Sequence, residues 1–196
     1  MTFELEQELK VLLSKEQFDS LLNHWQLDPS KPSLKQHNTY YDTHDQKLKA
    51  SDAALRLRNF SNSSVWTIKH RQNAFQSFEY HQANPSPLSP PNILSADSIQ
   101  ETSLLNFLTT QKIALHELKQ TYDIQTDRWL IATDLGEFAL DVSQYGEITD
   151  YELEFETHQL AAAQVAFKEF LSSFGIVMQQ AETKLSRAAQ YFKTSL

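Results

Sequence analysis

Thr2-Phe3-Glu4-Leu5-Glu6-Gln7-Glu8-Leu9-Lys10-Val11-Leu12-Leu13 sets charged side chains at every second position, Glu4, Glu6, Glu8 and Lys10. Leu5, Gln7 and Leu9 stand between them. In a β-strand, successive side chains point to opposite faces, so this spacing gathers three carboxylates and one ammonium into one file. Like charges at that spacing repel. Such a file needs either open solvent or neutralising partners. The fold therefore turns on whether other segments supply complementary charge.

They do, with the same period. Tyr151-Glu152-Leu153-Glu154-Phe155-Glu156 forms a second acidic file. Residues 53–59 (AALRLRN) put Arg56 and Arg58 on one face and Leu55 and Leu57 on the other, and 65–71 (VWTIKHR) align Val65, Thr67 and Lys69. Further strand-like runs cover 36–43, 75–83, 112–125, 127–134, 136–143 and 147–157, with tight turns expected at Asp134-Leu135-Gly136 and Tyr145-Gly146. A capping box at Ser14-Lys15-Glu16-Gln17 opens a helix over about 15–26. Further helices are expected near 101–109, 159–174 and 183–194. Residues 84–92 (NPSPLSPPN) read as a loop that either divides two domains or bridges the halves of one. We expect an α+β fold: a closed antiparallel β-barrel, or tunnel, of about eight strands with helices packed outside, forming a single domain over 1–196. Closure removes sheet edges and gathers the charged files around one axis.

Composition narrows the function classes. Cysteine is absent, which excludes thiolate zinc sites, disulfides and thiol nucleophiles. Three glycines and no phosphate-loop or dinucleotide fingerprint argue against glycine-rich nucleotide loops. The net charge of -8 counts against nucleic-acid binding, which draws on a surplus of Lys and Arg. No basic-then-apolar leader opens the sequence and no apolar run approaches roughly 18 residues. The expectation is a cytoplasmic protein without membrane association, either monomer or homodimer.

The two acidic files offer hard oxygen ligands, the type Mg²⁺ or Mn²⁺ prefers, and such ions share their coordination with phosphate oxygens. Lys10, Arg56, Arg58, Lys69, Arg128 and Lys184 oppose them, and paired guanidinium groups match phosphate oxygens bidentately. Lys184 opens a helix, where a cation is unfavourable with the macrodipole, so a phosphate partner would explain its position. Arg187, one turn later, shares that role or faces water. Asp141 is either a third metal ligand or the holder of a basic side chain. Glu4 and Glu156 belong at strand ends, nearer a tunnel mouth. Only one of Tyr40 and Tyr41 can face a lumen. The histidines show no metal-site spacing and read as solvent-facing or core-satisfied.

In this order the motifs resemble the CYTH superfamily, the triphosphate tunnel metalloenzymes that include inorganic tripolyphosphatases, thiamine triphosphatases and class IV adenylyl cyclases. The resemblance rests on Glu6-Gln7-Glu8-Leu9-Lys10 as ExExK, then Tyr40 to Thr43, Ala54 to Arg58, Thr67 to Lys69, Arg128, Glu152 to Glu154, and Lys184. Many relatives carry an arginine and two glutamates at alternate positions where this chain has Ser77, Glu79 and His81, leaving Glu79 as the matching residue. The resemblance implies a small polyphosphate or triphosphate substrate, gripped by Lys10, Arg56, Arg58, Lys69, Glu79, Arg128, Lys184 and Arg187. It also implies Mg²⁺ or Mn²⁺ held by Glu6, Glu8, Asp141, Glu152 and Glu154, with Glu6, Glu8 and Lys10 as the catalytic group. The leading expectation is a metal-dependent triphosphatase. The alternatives are an adenylyl cyclase, a non-catalytic polyphosphate-binding or nucleotide-binding module, and an apolar-ligand carrier with an apolar interior.

Overall fold

A computed structural model describes residues 3–179 and 181–194. The elements run β1 (Phe3–Leu13), α1 (Lys15–His24), β2 (Leu34–Asp42), α2 (Lys47–Ala50), β3 (Ala53–Asn59), β4 (Ser64–Arg71) and β5 (Gln76–Asn84). They continue with α3 (Thr102–Thr110), β6 (Lys119–Thr133), β7 (Gly136–Tyr145), β8 (Ile148–Glu156), α4 (Leu160–Ser173) and α5 (Lys184–Thr194). The strands close into a barrel in the order β1-β5-β4-β3-β2-β6-β7-β8. The expected closed antiparallel barrel is therefore the observed architecture. Among the described residues, no helix is long and apolar enough to cross a membrane.

By internal packing the chain divides into two compact units, residues 1–6 with 36–124 and residues 7–35 with 125–196. In the first, β3 and β4 send alternate side chains into an apolar cluster of Leu55, Leu57, Trp66 and Ile68, closed by Leu104, Phe107 and Leu108 of α3. Arg56, Arg58 and Lys69 fall on the opposite face by the same alternation. The loop at 84–92 lies inside this unit. Asn59 fastens it, accepting from the Leu88 backbone N–H and donating to its carbonyl, both at 2.9 Å.

In the second unit, Leu9 and Val11 of β1, Leu140 of β7, and Leu153 and Phe155 of β8 are buried together with Phe167 and Leu171 of α4. Phe138 stacks on Phe155 with ring centroids 4.2 Å apart. The α1 capping box forms as expected: the Ser14 N–H donates to Gln17 Oε1 at 2.8 Å and the Gln17 N–H donates to Ser14 Oγ at 3.2 Å. Left-handed backbone at Gln26 ends the helical path.

Two expectations about the elements need correction. The runs at 112–125 and 127–134 are not separate strands. Lys112 takes a left-handed conformation and Leu115–Glu117 form a 3-10 turn. A single strand, β6, then pairs unbroken with β7 from Gln125 to Thr133. No turn-forming residue interrupts Ile124-Gln125-Thr126, so nothing there stops extended pairing. The second correction is α2, which follows Asp42-Thr43 and was not expected.

Candidate active site

Strand register in the second unit builds the larger charged cluster. Arg128 of β6 lies opposite Asp141 of β7, Asp141 opposite Glu152 of β8, and Glu154 opposite Lys10 of β1. Asp141 is fully buried. It accepts two parallel hydrogen bonds from Arg128, each 2.7 Å, and a third of 2.7 Å from Lys184 Nζ. Arg128 and Lys184 also donate to Glu154, each at 2.5 Å. Lys10 donates to Glu8 Oε1 at 2.6 Å. Arg187 reaches Asp150 at 2.7 Å and Glu152 at 2.5 Å.

Glu8, Glu152 and Glu154 each offer one carboxylate oxygen within 4.8 Å of the other two. Burial raises both β8 carboxyls, but neighbouring charge divides them. At Glu154, Lys184, Arg128 and Lys10 outweigh burial and hold the carboxyl well below the usual range. At Glu152, burial wins and the ionised Glu154 adds to it, against Lys184 and Arg187, so its carboxyl rises to about 7. Glu152 Oε1 is buried with no hydrogen-bond donor, and Lys184 Nζ stands 3.6 Å away. A buried carboxylate oxygen lacking a donor costs free energy, which a divalent cation would recover. Three converging carboxylates, with one Glu152 oxygen unsatisfied, fit Mg²⁺ or Mn²⁺ by donor type. Burial also lowers Lys184 and Arg128, yet their carboxylate partners raise both above the ordinary range.

The first unit holds the smaller cluster. Arg56 faces Tyr40 across β2 and β3, and Arg58 faces Asn38. Lys69 faces Glu79, and Thr67 faces His81, across β4 and β5. Lys69 forms an ion pair with Glu6 and stands 3.7 Å from Glu79 Oε1, while Arg56 stands 3.9 Å from the same oxygen. Burial pushes Glu79 up, but Arg56, Lys69, His81 and Arg58 together hold its carboxyl below the usual range. Arg58 Nε donates to Asn38 Oδ1 at 2.8 Å.

Several sequence-expected residues take different neighbours. Asp141, read as a metal ligand or as the holder of a basic side chain, pairs with Arg128 and Lys184, and Glu6, read as a metal ligand, pairs with Lys69; among the described residues the group of three carboxylates is Glu8, Glu152 and Glu154. Glu4 and Glu156 are exposed. Arg187 faces two carboxylates rather than water. Tyr40 lies beside Arg56, whereas Tyr41 enters the apolar cluster. Asp42 serves the fold, because its carboxylate accepts the backbone N–H groups of Thr43, Leu48 and Lys49 at the start of α2. Asn38, Asp150 and the Thr67–His81 pair escaped the sequence reading. Asn38 and Tyr40 could have been found, because they share the period-two phase that pairs with Arg58 and Arg56.

Known proteins share this chain's sequence pattern and barrel fold. A CYTH domain model matches residues 4–189. YjbK of Bacillus subtilis, provisionally called a triphosphatase, is 30% identical over 187 residues, which cover 95% of each chain. A crystal structure from Bacillus halodurans, provisionally called an adenylate cyclase, is 31% identical with a TM-score of 0.83, covering 95% of this chain and 98% of that one. A Hippeastrum protein, provisionally called an adenylyl cyclase and described as having a dominant triphosphatase activity, shares the fold at 19% identity and TM-score 0.74, covering 95% of each chain. With its family model, full-length relatives and barrel in agreement, the chain belongs to the CYTH domain family.

Proposed function

We propose that the chain is a cytoplasmic, metal-dependent triphosphatase that releases orthophosphate from inorganic tripolyphosphate or an organic triphosphate, acting as one domain over 1–196. The observation that carries this reading is the convergence of Glu8, Glu152 and Glu154 within 4.8 Å beside Lys10, Arg128 and Lys184. Those three carboxylates would hold Mg²⁺ or Mn²⁺. A bound ion of this kind neutralises phosphate oxygens and lowers the pKa of coordinated water.

The chain's own groups do the rest. Arg56 and Arg58 grip phosphate oxygens, with Asn38 aiming the Arg58 fork and Tyr40 supporting Arg56. Lys69 joins them and takes part of its orientation from Glu6 and Glu79. Asp141 fixes Arg128 and Lys184, so both cations meet developing charge without reorganising. Arg187 sets Glu152 by donating to its Oε2. A carboxylate beside Lys10 takes the proton from the attacking water. Catalysis then draws on positioning and electrostatics, with no covalent enzyme intermediate.

Adenylyl cyclase activity is the second reading, favoured by the name given to the 31% identical relative. One panel separates the two: tripolyphosphate, thiamine triphosphate and ATP, each with Mg²⁺, Mn²⁺ or chelator, with phosphate and cyclic AMP both measured. The triphosphatase reading expects metal-dependent phosphate release. Cyclic AMP as the product, or binding without any phosphate release, would overturn it.

A further inference from the structure

The helix α5 brings two cations to the second unit's cluster, and each straddles a pair of carboxylates. Lys184 donates to Glu154, one of the three converging carboxylates, and to Asp141, which lies outside that group. Arg187 repeats the arrangement one turn later. Its Nη2 donates to Glu152 Oε2 at 2.5 Å and its Nε donates to Asp150 Oδ2 at 2.7 Å, and Asp150 too lies outside the group. Nη1 donates to the Glu182 carbonyl at 2.5 Å, so each guanidinium nitrogen is engaged and the fork is held in one plane.

Asp150 is itself held. It stands two residues before Glu152 on β8, on the same face by alternation, and its Oδ2 also accepts from the Tyr145 hydroxyl at 2.6 Å. Tyr145 ends β7, is buried, and meets the Tyr191 ring of α5 edge-on with centroids 6.2 Å apart. Arg187 and Asp150 keep only 11% and 18% of their side-chain surface exposed, so their ion pair is shielded from the solvent that makes surface pairs weak. A divalent cation on Glu8, Glu152 and Glu154 would spend the charge of Glu152 and repel Arg187. Asp150, outside that group, would keep its full charge for the guanidinium.

We infer that Asp150 is a positioning residue of this site: it retains Arg187 when a divalent ion takes Glu152, and so keeps α5, with Lys184, seated against the strands. The inference rests on the metal-dependent triphosphatase reading and deepens it. It gives Asp150 a role that acts through Arg187 rather than on the substrate.

The experiment measures amide hydrogen exchange in α5 of the whole protein, in EDTA and in Mn²⁺ at a concentration shown by calorimetry to saturate each protein. Wild type is set beside Asp150→Asn, Tyr145→Phe, Arg187→Met and the double variant Asp150→Asn with Arg187→Met, each checked for folding by its melting transition. In wild type, Mn²⁺ should leave α5 exchange within about twofold. A hydrogen bond to a charged group is worth roughly tenfold or more in an opening equilibrium, so in Asp150→Asn the addition of Mn²⁺ should speed α5 exchange about tenfold. Tyr145→Phe keeps the ring against Tyr191 and removes only the hydroxyl, so it should respond to Mn²⁺ in the same direction by a smaller factor, roughly threefold. In the Arg187→Met background, Asp150→Asn should add no metal-dependent exchange.

Loss of one negative charge by itself weakens Mn²⁺ binding but does not loosen α5 when the ion arrives. The same Mn²⁺ response of α5 in Asp150→Asn and wild type would overturn the inference. So would exchange sped equally with and without Mn²⁺, the sign of a purely structural contact, or an undiminished effect of Asp150→Asn beside Arg187→Met. Should Asp150→Asn fail to fold, Tyr145→Phe with α5 exchange unmoved by Mn²⁺ would overturn it in its place. These outcomes leave the triphosphatase reading standing if the wild type releases phosphate from tripolyphosphate with Mn²⁺. A wild type that neither binds Mn²⁺ nor releases phosphate removes both.

Discussion

Replacing Asp141 by Asn tests how the second unit holds its charges. The residue is fully buried and accepts three hydrogen bonds of 2.7 Å, two from Arg128 and one from Lys184. Asparagine keeps the shape and one acceptor oxygen but removes the negative charge. It also presents an NH₂ group to one of the two cations. Arg128 and Lys184 retain Glu154, so neither is left wholly unpaired. Breaking a buried ion pair by removing one partner costs about 3–5 kcal/mol, and the remaining carboxylate argues for the lower end, about 3 kcal/mol. For a chain of this size each 1 kcal/mol moves the melting temperature by roughly 2–4 °C, so metal-free Asp141→Asn should melt about 6–12 °C below wild type. The double variant with Lys184→Met should cost less than the sum of the singles, because the second change removes one of the cations that the first left under-compensated. Scanning calorimetry of the four proteins in EDTA supplies the cycle. A single-variant shift under about 2 °C, or strict additivity, would refute the claim that Asp141 is the anchor of these cations.

Tyr41→Phe should be neutral or stabilising by about 1 kcal/mol in urea denaturation, because the Tyr41 hydroxyl is buried without a hydrogen-bond partner; a loss above about 1 kcal/mol would contradict this. Gly146 has φ +54, and an added Cβ would lie 2.2 Å from the Tyr191 ring of α5. Gly146→Ala should therefore cost about 1–3 kcal/mol and speed amide hydrogen exchange in α5, and unchanged exchange there would count against the contact. Glu152 supplies a pH dependence. Its folded carboxyl sits at about 7 against 4.5 when solvated, so between these values the native state binds more protons than the unfolded chain. The stability it contributes is complete below about pH 4.5 and is lost as pH rises through 7, a fall of up to about 3 kcal/mol in metal-free protein. Glu154 and Glu79 are shifted downward, so their contributions change below that window. Urea midpoints from pH 4.5 to 8 should show the decline in wild type and not in Glu152→Gln; a flat wild-type profile would contradict it.

The barrel was legible because period-two alternation is a local property. Leu55 and Leu57 against Arg56 and Arg58 declare two faces without any knowledge of the partner strand. The ends of elements were less legible for the same reason. Nothing in Ile113 to Leu118 distinguishes a strand from a short 3-10 turn until Lys112 is seen in a left-handed conformation. The helix α2 depends on Asp42 accepting backbone N–H groups up to seven residues later, a pattern that propensity does not register.

The site was legible as a set of charges and not as a set of pairs. Which carboxylate meets which cation follows from register. Arg128 opposite Asp141, and Lys69 opposite Glu79, are set by strand pairing over many residues. Glu6 and Glu8 look equivalent in sequence, yet one pairs with Lys69 and the other joins Glu152 and Glu154. His81 showed no ligand spacing, and its relation to Thr67 exists only across two strands.

Divalent-ion binding at Glu8, Glu152 and Glu154 is the central claim, and calorimetric titration of metal-free protein with Mn²⁺ tests it most directly. Wild type should bind with a measurable enthalpy and a rise in melting temperature. Glu154→Gln should remain folded and lose at least about tenfold in affinity, and triphosphate hydrolysis should fall with it. Equal Mn²⁺ affinity in wild type and Glu154→Gln would contradict the account.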